Sequence, residues 1–353
     1  MKVTIKDVAK EANVATSTVS RVLANSDRIS AETKERVKKA IRKLNYTPNA
    51  VARGLANNKT RILAILLPDG AEKSFENPFF VQVMKGISKY AQKENYYIMY
   101  AFNDNNNDDK WIKNFVKSNL IDGLFIFNVT DDDLIINYLR NINFPFVIIG
   151  RPKKADNILW VDNDNFDAMY KLTQTLIKLG NKRIAFIGAK SEMNMSKDRL
   201  DGYKKALFSR GIEIVNELII EKDDFTEANG YEAAKYMLVK QQIDAFITTD
   251  DFIAFGVQKA ISEYGYKNIS VVGFNNIPIS QYQNPPLSSV DINSEKLGVE
   301  ASKILIHRLE GKSSKSYSII DTRLILRKSV KQIHENLQWN RLHKHEKNKD
   351  ILI

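Results

Sequence analysis

The sequence predicts an all-α head at the N-terminus, followed by a larger α/β region in which parallel sheets form two lobes. Two short helical patterns flank a tight turn in the first 24 residues, and a third, basic helix follows. From residue 61 onward, apolar runs alternate with helical stretches, an order that builds parallel sheets covered by helices. The chain therefore divides into a head (1–60), a two-lobed region (61–330) and a basic tail (331–353).

The positive charge is concentrated at the two ends of the chain. Residues 1–60 carry 13 Lys and Arg against 5 Asp and Glu, a formal charge of +8, whereas residues 61–326 carry 33 against 34. Residues 327–353 carry 7 against 3. A basic block on a small folded domain is typical of surfaces that bind phosphate backbones. A solvated basic face is the alternative interpretation.

Composition limits the class of protein. A chain of 353 residues with 43% hydrophobic residues can bury more than one core. It contains no cysteine, which excludes disulfides, zinc–thiolate sites and cysteine nucleophiles. The first 20 residues lack the apolar stretch of a signal peptide, and no apolar run approaches the length of a membrane span. We expect a soluble, cytoplasmic protein without membrane contact.

The first two helices of the head follow from capping and periodicity. Thr4 and Asp7 have the spacing of a capping box, which predicts a helix over about residues 5–12. After a turn at 13–15, Thr16 begins a second helix that runs to about Ala24. Its inward side chains are Val19, Val22 and Leu23. The opposite, solvated face carries Thr16, Ser17, Ser20 and Arg21.

That solvated face has the chemistry of a DNA reader. Small side chains at the start of the second helix permit close approach to base edges, and Arg21 can reach a guanine or a phosphate. Ser30 caps a predicted third helix, whose apolar stripe packs on the first two while its lysines and arginines stay solvated. Beyond Pro48, residues 49–55 are too short for a stable isolated helix. We expect them to order only against DNA and a partner copy.

The head resembles the LacI/GalR family of bacterial transcription regulators. The matching segments are TIKDVA at 4–9, VATSTVSRVL at 14–23, LNYTPN at 44–49 and ARGL at 52–55. The resemblance implies that residues 49–56 form a hinge helix whose Leu55 opens the central base step from the minor groove. A linker residue packing on its own domain is the other interpretation of Leu55. The implied DNA-binding residues are Thr16, Ser17, Thr18, Ser20, Arg21, Asn25, Tyr46, Asn49, Ala52, Arg53 and Leu55.

The region after residue 61 contains too many candidate strands for one sheet of this kind. The strands are predicted at 62–67, 96–102, 123–127, 146–149, 183–187, 245–248 and 269–272. Helices are predicted at 80–94, 166–179, 199–209, 253–264 and 295–309. Two Rossmann-like lobes account for this count, with a ligand cleft at the carboxyl ends of the strands. The first lobe is expected at about 61–160 and 291–319, and the second at about 161–290 and 320–330.

This region resembles the periplasmic sugar-binding proteins that the LacI/GalR family uses as its sensor. The resemblance implies an effector-binding set: Phe79, Phe80, Arg151, Arg199, Phe225, Asp250 and Asn275. Because Phe79 and Phe80 are adjacent, only one is expected to face the cleft easily. Alternatively, Arg199 pairs with a surface acid, Asp250 or Asn275 caps the following turn, and the phenylalanines belong to the core.

No catalytic constellation is present in the sequence. It has no phosphate-binding loop, no Gly-x-Ser-x-Gly and no His-Glu-x-x-His motif. His343 and His345 in the tail lack a third ligand, so neither a metal nor a cofactor is expected. No leucine heptad for a tetramer is recognisable. The chain is therefore expected to act as a homodimer and not as an enzyme.

The expected function is a repressor of sugar-utilisation genes that binds double-stranded operator DNA at the nucleoid and responds to a small sugar. Gly150-Arg151-Pro152 and residues 161–165 resemble the maltose-responsive members of the family, which implies a maltose-type effector. Two alternatives stay open. One is a catabolite regulator controlled by a phosphorylated carrier protein, and the other is the same head on a sensor like a sugar-phosphate isomerase.

Overall fold

The computed structural model describes residues 3–23, 26–47, 59–68, 75–102, 110–127, 134–313, 315–331 and, for the backbone, 350–352. The chain forms two compact units, Met1–Arg61 and Ile62–Ile353. Among the described residues, no helix combines the length and the apolar character needed to cross a bilayer. The same residues contain no group of three His, Asp or Glu side chains suited to a metal ion, and His343 and His345 lie outside them.

The head consists of three helices, α1 (Ile5–Glu11), α2 (Thr16–Leu23) and α3 (Ala31–Lys43). The predicted capping residues act at the starts of α1 and α3. The Asp7 carboxylate accepts hydrogen bonds from the Thr4 backbone and hydroxyl at 2.8 and 2.7 Å, and Ser30 accepts one from the Thr33 backbone at 3.3 Å. Apolar residues of all three helices share one core, which confirms the predicted helix-turn-helix head. They include Val8, Val19, Val22, Val37 and Ala40.

The second unit alternates strands and helices. In chain order the elements are β1 (Ile62–Leu67), α4 (Pro78–Lys93), β2 (Tyr97–Phe102), α5 (Lys110–Lys117), β3 (Gly123–Phe127), α6 (Leu134–Asn141), β4 (Phe146–Ile149), β5 (Leu159–Asn163), α7 (Asn165–Lys178), β6 (Ile184–Ala189), α8 (Asn194–Phe208), β7 (Ile219–Lys222), α9 (Glu227–Lys240), β8 (Ala245–Thr248), α10 (Asp251–Glu263), β9 (Ser270–Phe274), β10 (Ser288–Asp291), α11 (Ser294–Leu309), β11 (Tyr317–Ile320), β12 (Arg323–Ile325) and β13 (Asp350–Leu352). Single 3₁₀ turns lie at Asn216–Leu218 and Pro278–Tyr282.

The strands form two sheets, one for each lobe. The first sheet has the order β11-β5-β4-β3-β1-β2 and is parallel throughout. The second has the order β13-β12-β10-β9-β8-β6-β7, in which β12 runs antiparallel to both neighbours. Helices α4 and α11 pack together in the first lobe, whereas α7 packs on α8 and α9 on α10 in the second. The two-lobed parallel architecture expected from the sequence is thus confirmed.

The chain crosses between the sheets three times. It leaves the first sheet after Asn163, returns to the first lobe between Asp291 and Ser294, and leaves again after Ile320. The first crossing lies three residues beyond the expected boundary at about residue 160, because β5 continues to Asn163. Tyr317–Ile320 pairs with β5 in the first sheet, so the third crossing lies one residue beyond the expected end of the first lobe at residue 319.

The strands that periodicity missed are short or end in polar residues. They are β5, β7, β10, β11, β12 and β13, of three to five residues each. Pairing with neighbouring strands makes them strands, since a segment this short carries little propensity of its own. The helix expected at 199 begins instead at Asn194, which places Arg199 more than one turn inside α8.

Candidate functional site

A cleft of about 480 Å³ lies between the two lobes. The first lobe contributes the start of α4 and the ends of β4 and β5, and the second contributes the ends of β6, β8 and β9 with the start of α8. Polar side chains follow the carboxyl ends of parallel strands on both sides, which is where such sheets bind ligands. All seven predicted effector residues line this cleft: Phe79, Phe80, Arg151, Arg199, Phe225, Asp250 and Asn275.

Phenylalanines form one wall of the cleft. Asn77 caps α4 by accepting a hydrogen bond from the Phe79 backbone at 2.9 Å, which brings the first turn of the helix to the cleft. The Phe79 and Phe80 rings lie 5.2 Å apart in an edge-to-face arrangement, and both contact Phe127. Both residues line the cleft, although only one was expected to face it easily, and both also pack on the core, as the alternative interpretation expected.

Arg199 is buried at the base of the cleft, with only 3% of its surface exposed. Its Nε donates to Asn165 at 2.9 Å and its Nη1 to the Thr249 carbonyl at 2.6 Å. The guanidinium lies 3.8 Å from the centre of the Phe274 ring. Burial lowers its pKa to about 10, against the opposing effect of Asp162 and Asp250, so the group stays charged near neutrality. The alternative of a surface ion pair for Arg199 was wrong.

Asp250 has two roles at the end of β8. Its Oδ1 caps α10 by accepting from the Phe252 backbone at 2.7 Å, as the alternative interpretation expected. Its Oδ2 accepts from the Asn275 amide at 2.8 Å. Burial, reinforced by the charge of Asp251, raises the pKa of Asp250 to about 8. A protonated carboxyl in this position can donate as well as accept a hydrogen bond.

Asn275 does not cap a helix. Its backbone N–H donates to the Val290 carbonyl at 2.9 Å. Its backbone φ of 103° lies in a region that residues other than glycine rarely adopt. This conformation follows directly after β9 and aims the amide at Asp250. Backbone strain of this kind persists only where the surrounding contacts hold it, which is typical of binding sites.

Asp251, the neighbour of Asp250, serves the structure rather than the cleft. Its carboxylate accepts hydrogen bonds from the Ile277 backbone and from the hydroxyls of Ser280 and Ser289, at 2.8, 2.7 and 2.6 Å. These bonds hold the 3₁₀ turn after β9 against β10. Burial raises the pKa of Asp251 to about 6, and the three hydrogen bonds oppose that rise.

Each cationic side chain that the described residues place in the cleft has an acidic neighbour. Arg151 pairs with Asp198 at 2.8 Å, and Lys190 lies 3.4 Å from Asp224. Among the described residues that line the cleft, five acidic side chains outnumber three cationic ones. They are Glu76, Asp162, Asp224, Glu227 and Asp250.

The head presents the predicted DNA-reading face to solvent. Thr16, Ser17, Ser20 and Arg21 are exposed on α2, and Thr18 is half-buried. Tyr46, also predicted to bind DNA, is half-buried and packs against the head core. The remaining predicted DNA-binding residues lie outside the described part of the chain, as does the predicted hinge helix at 49–56. They are Asn25, Asn49, Ala52, Arg53 and Leu55.

Comparison with known proteins assigns the chain to a family. Residues 4–49 match the bacterial regulatory proteins of the lacI family, and residues 173–330 match a periplasmic binding protein-like domain. The chain is 40% identical over 266 residues to the HTH-type transcriptional regulator MalR of Streptococcus pneumoniae. The matched stretch covers 75% of this chain and 81% of that protein. The chain belongs to the LacI family.

Solved LacI-family structures share its architecture. A complex of the transcriptional regulator CelR with cellobiose matches 93% of this chain and 100% of its own, with 27% identity and a TM-score of 0.72. The Lac repressor dimer bound to operator and the anti-inducer ONPF matches 93% and 99%, with a TM-score of 0.79. At 24% identity, the latter similarity establishes the fold alone. Members of this family are DNA-binding transcriptional regulators and not enzymes.

Several cleft residues of this LacI-family chain were not predicted from the sequence. Asp162 and Asn163 were missed as site residues because β5 was not recognised, although the polar run at 162–165 directly follows an apolar stretch. Asn194 was missed because α8 was expected to start later. Its Nδ2 donates to the Arg151 carbonyl at 3.2 Å, and its Oδ1 is buried without a hydrogen-bond partner among the described residues.

Proposed function

We propose that this regulator is a repressor of sugar-utilisation genes whose affinity for double-stranded operator DNA is controlled by a neutral, maltose-type sugar in the cleft. It acts as a homodimer and contacts the bases through Thr16, Ser17 and Arg21 of α2. Cleft contacts come from the phenylalanine wall, Arg151, Arg199, Phe225, Asp250 and Asn275. Neither a metal nor a cofactor takes part.

The contacts that the described cationic side chains of the cleft already make support a neutral ligand. Recognition of a phosphate group needs positive charge or backbone N–H groups that are not engaged elsewhere. Arg151 and Lys190 each have a carboxylate partner, and Arg199 is bonded to Asn165 and Thr249. Of the helices that begin at the cleft, α4, α9 and α10 are capped by Asn77, Thr226 and Asp250, whereas α8 has no side-chain cap. This observation disfavours a sugar-phosphate effector and a sensor of the isomerase type.

The remaining groups suit a sugar. Flat phenylalanine rings pack against the apolar face of a pyranose, while Asp250, Asn275 and the buried Oδ1 of Asn194 can exchange hydrogen bonds with its hydroxyls. The cleft volume lies within the usual range for small-molecule sites. The relative CelR is solved with cellobiose, a disaccharide of glucose. The resemblance of residues 150–152 and 161–165 to maltose-responsive regulators selects maltose.

Control of DNA binding follows from a shift between lobe-closure states. A ligand can change operator affinity only by as much as it prefers one state over the other. We infer that maltose favours the closure state that does not hold the operator, so the sugar relieves repression.

Calorimetric titration of the full chain with maltose, cellobiose and glucose 6-phosphate tests the ligand class. We expect maltose to bind, and glucose 6-phosphate to bind at least tenfold more weakly. Arg199→Ala should reduce maltose affinity at least tenfold, because the buried groups it bonds lose their donor. Arg183→Ala is the matched control, since that guanidinium also bonds a carbonyl and an amide, those of Gln242 and Gln241, away from the cleft.

Tighter binding of glucose 6-phosphate than of maltose would contradict the proposal. Absence of sugar binding, together with a change in DNA affinity on adding a phosphorylated carrier protein, would favour the catabolite-regulator alternative.

A further inference from the structure

The three crossings between the lobes meet at one side chain. Asn163 ends β5, and its Nδ2 donates to the carbonyl of Ile292 at 3.0 Å and to the carbonyl of Ile320 at 2.8 Å. Ile292 lies in the second crossing and Ile320 ends the last strand before the third. A single amide on the first crossing therefore bonds to both of the others.

Both hydrogens of the Asn163 amide nitrogen are engaged. An asparagine nitrogen carries two hydrogens, and each goes to a different crossing. Asn163 is 4% exposed, so water does not compete freely for the two carbonyls. Asn163 and Ile320 are paired on neighbouring strands of the first sheet, so that bond stays within the first lobe. The bond to Ile292 joins β5 to the segment that arrives from the second sheet, and lobe closure that moves this segment relative to β5 lengthens or reorients it.

The same residue is connected to the cleft by hydrogen bonds. The Asn163 backbone N–H donates to Asp162 Oδ1 at 2.8 Å, and the same oxygen accepts from Asn165 Nδ2 at 3.1 Å. The Oδ1 of Asn165 accepts from Arg199 Nε at 2.9 Å. Hydrogen bonds thus run without interruption from the cleft guanidinium to the three crossings.

The polarity of this chain of bonds permits one arrangement. Asn165 must direct its nitrogen to Asp162 and its oxygen to Arg199, because the reverse orientation would place acceptor against acceptor and donor against donor. Asn165 is 1% exposed and Asp162 is 9% exposed, so neither has an alternative partner in bulk water. Discrete, buried arrangements of this kind can couple distant sites, since they switch rather than deform.

We propose that Asn163 is a positioning residue that links Arg199 in the cleft to the lobe-closure equilibrium through Asn165 and Asp162. The role in signalling rests on the proposed function, because it presumes that a ligand contacts Arg199. The physical link between Arg199 and the crossings does not depend on which ligand binds.

The distance between two spin labels in the full chain, one on each lobe, tests whether Asn163 affects lobe closure. The chain has no cysteine. Asn137→Cys on α6 and Lys205→Cys on α8 therefore place one label at an exposed position on each lobe. Excess unlabelled protein suppresses distances between protomers. Asn163→Ala should broaden the interlobe distance distribution without ligand, and should remove most of the shift that maltose causes.

Asn181→Ala is the matched control. Asn181 is also buried, at 2% exposure, and its amide donates to the Leu176 carbonyl within the second lobe. It should lower the melting temperature but leave the interlobe distances as in wild type. Identical distributions for the two variants would mean that Asn163 only satisfies buried carbonyls, and would overturn the proposal.

A double-mutant cycle without ligand separates this proposal from the proposed function. Arg199→Ala should shift the interlobe distances in the wild-type background and have no further effect in the Asn163→Ala background. Equal shifts in both backgrounds, or no shift in either, would overturn the link. If Asn163→Ala does not fold, Asn165→Ala takes its place, since it interrupts the chain of bonds while the crossing carbonyls keep their donor. A wild-type chain that ignores maltose but shows the non-additive cycle would reject the sugar and retain the link.

Discussion

At the scale of single residues, the cleft depends on polar groups whose ionisation is altered by burial. Asp250 bonds the Phe252 backbone and the Asn275 amide, yet burial and the Asp251 charge raise its pKa to about 8. Asp162 and Asp251 are raised less, each to a pKa of about 6. Such shifts cluster at functional sites, since the same burial that strengthens ligand contacts penalises charge.

These shifts predict how stability depends on pH. The folded chain holds a proton on Asp250 that the unfolded chain releases, so this contribution to stability is complete below about pH 4 and is lost as pH rises through about 8. Between pH 6 and 8 Asp250 dominates among the three, because Asp162 and Asp251 have already ionised. Asp250→Asn should therefore flatten the fall in stability over that window, by up to about 1.4 kcal/mol per pH unit.

Thermal unfolding of the ligand-free chain between pH 5 and 8.5 measures this effect. Asp223→Asn, at an exposed position, is the control and should follow wild type. Parallel curves for wild type and Asp250→Asn above pH 6 would show that Asp250 is already ionised in the folded chain.

A second residue-scale prediction concerns DNA. Arg21 is exposed on the reading face of α2, whereas Lys38 is exposed on α3. Arg21→Ala should lose about 1–3 kcal/mol of preference for a selected operator over random DNA, because a base contact carries specificity. Lys38→Ala should weaken binding to both duplexes alike. It should also reduce the slope of log affinity against log salt concentration by about one. Unchanged discrimination by the Arg21 variant in fluorescence anisotropy would remove it from the reading face.

At the scale of elements, helix pairs approach through glycine. Gly256 on α10 faces the carbonyl of Glu227 on α9, and Gly230 on α9 faces the carbonyl of Ile253 on α10. A methyl group at either position would overlap backbone, which cannot rotate away as a side chain can. The Asp250 cap at the start of α10 and Phe225, which shortly precedes α9, both line the cleft.

Gly256→Ala should therefore destabilise the second lobe by about 1–3 kcal/mol, the usual cost of overpacking a tight contact. It should also weaken maltose binding, because α10 must move away from α9. Ser262→Ala on the exposed side of the same helix is expected to stay within about 0.5 kcal/mol of wild type. Equal denaturant midpoints for the two variants would show that the helices separate at no cost.

At the scale of the whole molecule, the two units have separate cores and different charges. The head core is built from three short helices, and the second unit has extensive cores on both faces of its sheets. The head carries the excess of basic residues, while residues 61–326 are nearly neutral. DNA and sugar should therefore stabilise different units.

Differential scanning calorimetry tests this separation. Maltose at 100 times its Kd should stabilise the second unit by about 2.7 kcal/mol and leave the head transition in place. Double-stranded operator DNA should raise the head transition, an effect that weakens with salt as counterions compete. A single transition that shifts equally with either ligand would show that the two units unfold together.

Sequence alone determined the head and the alternation of strands and helices, because capping boxes and apolar periodicity are encoded within a few positions. The seven residues now found together in the cleft were implied by the family resemblance of the sequence and not by such local signals. The tertiary structure alone decided the role of Asn163, whose partners Ile292 and Ile320 lie 129 and 157 positions away. It also decided that both Phe79 and Phe80 line the cleft while packing on the core, and that burial raises the pKa of Asp250. Burial and long-range pairing depend on the whole folded chain, and no short segment encodes them.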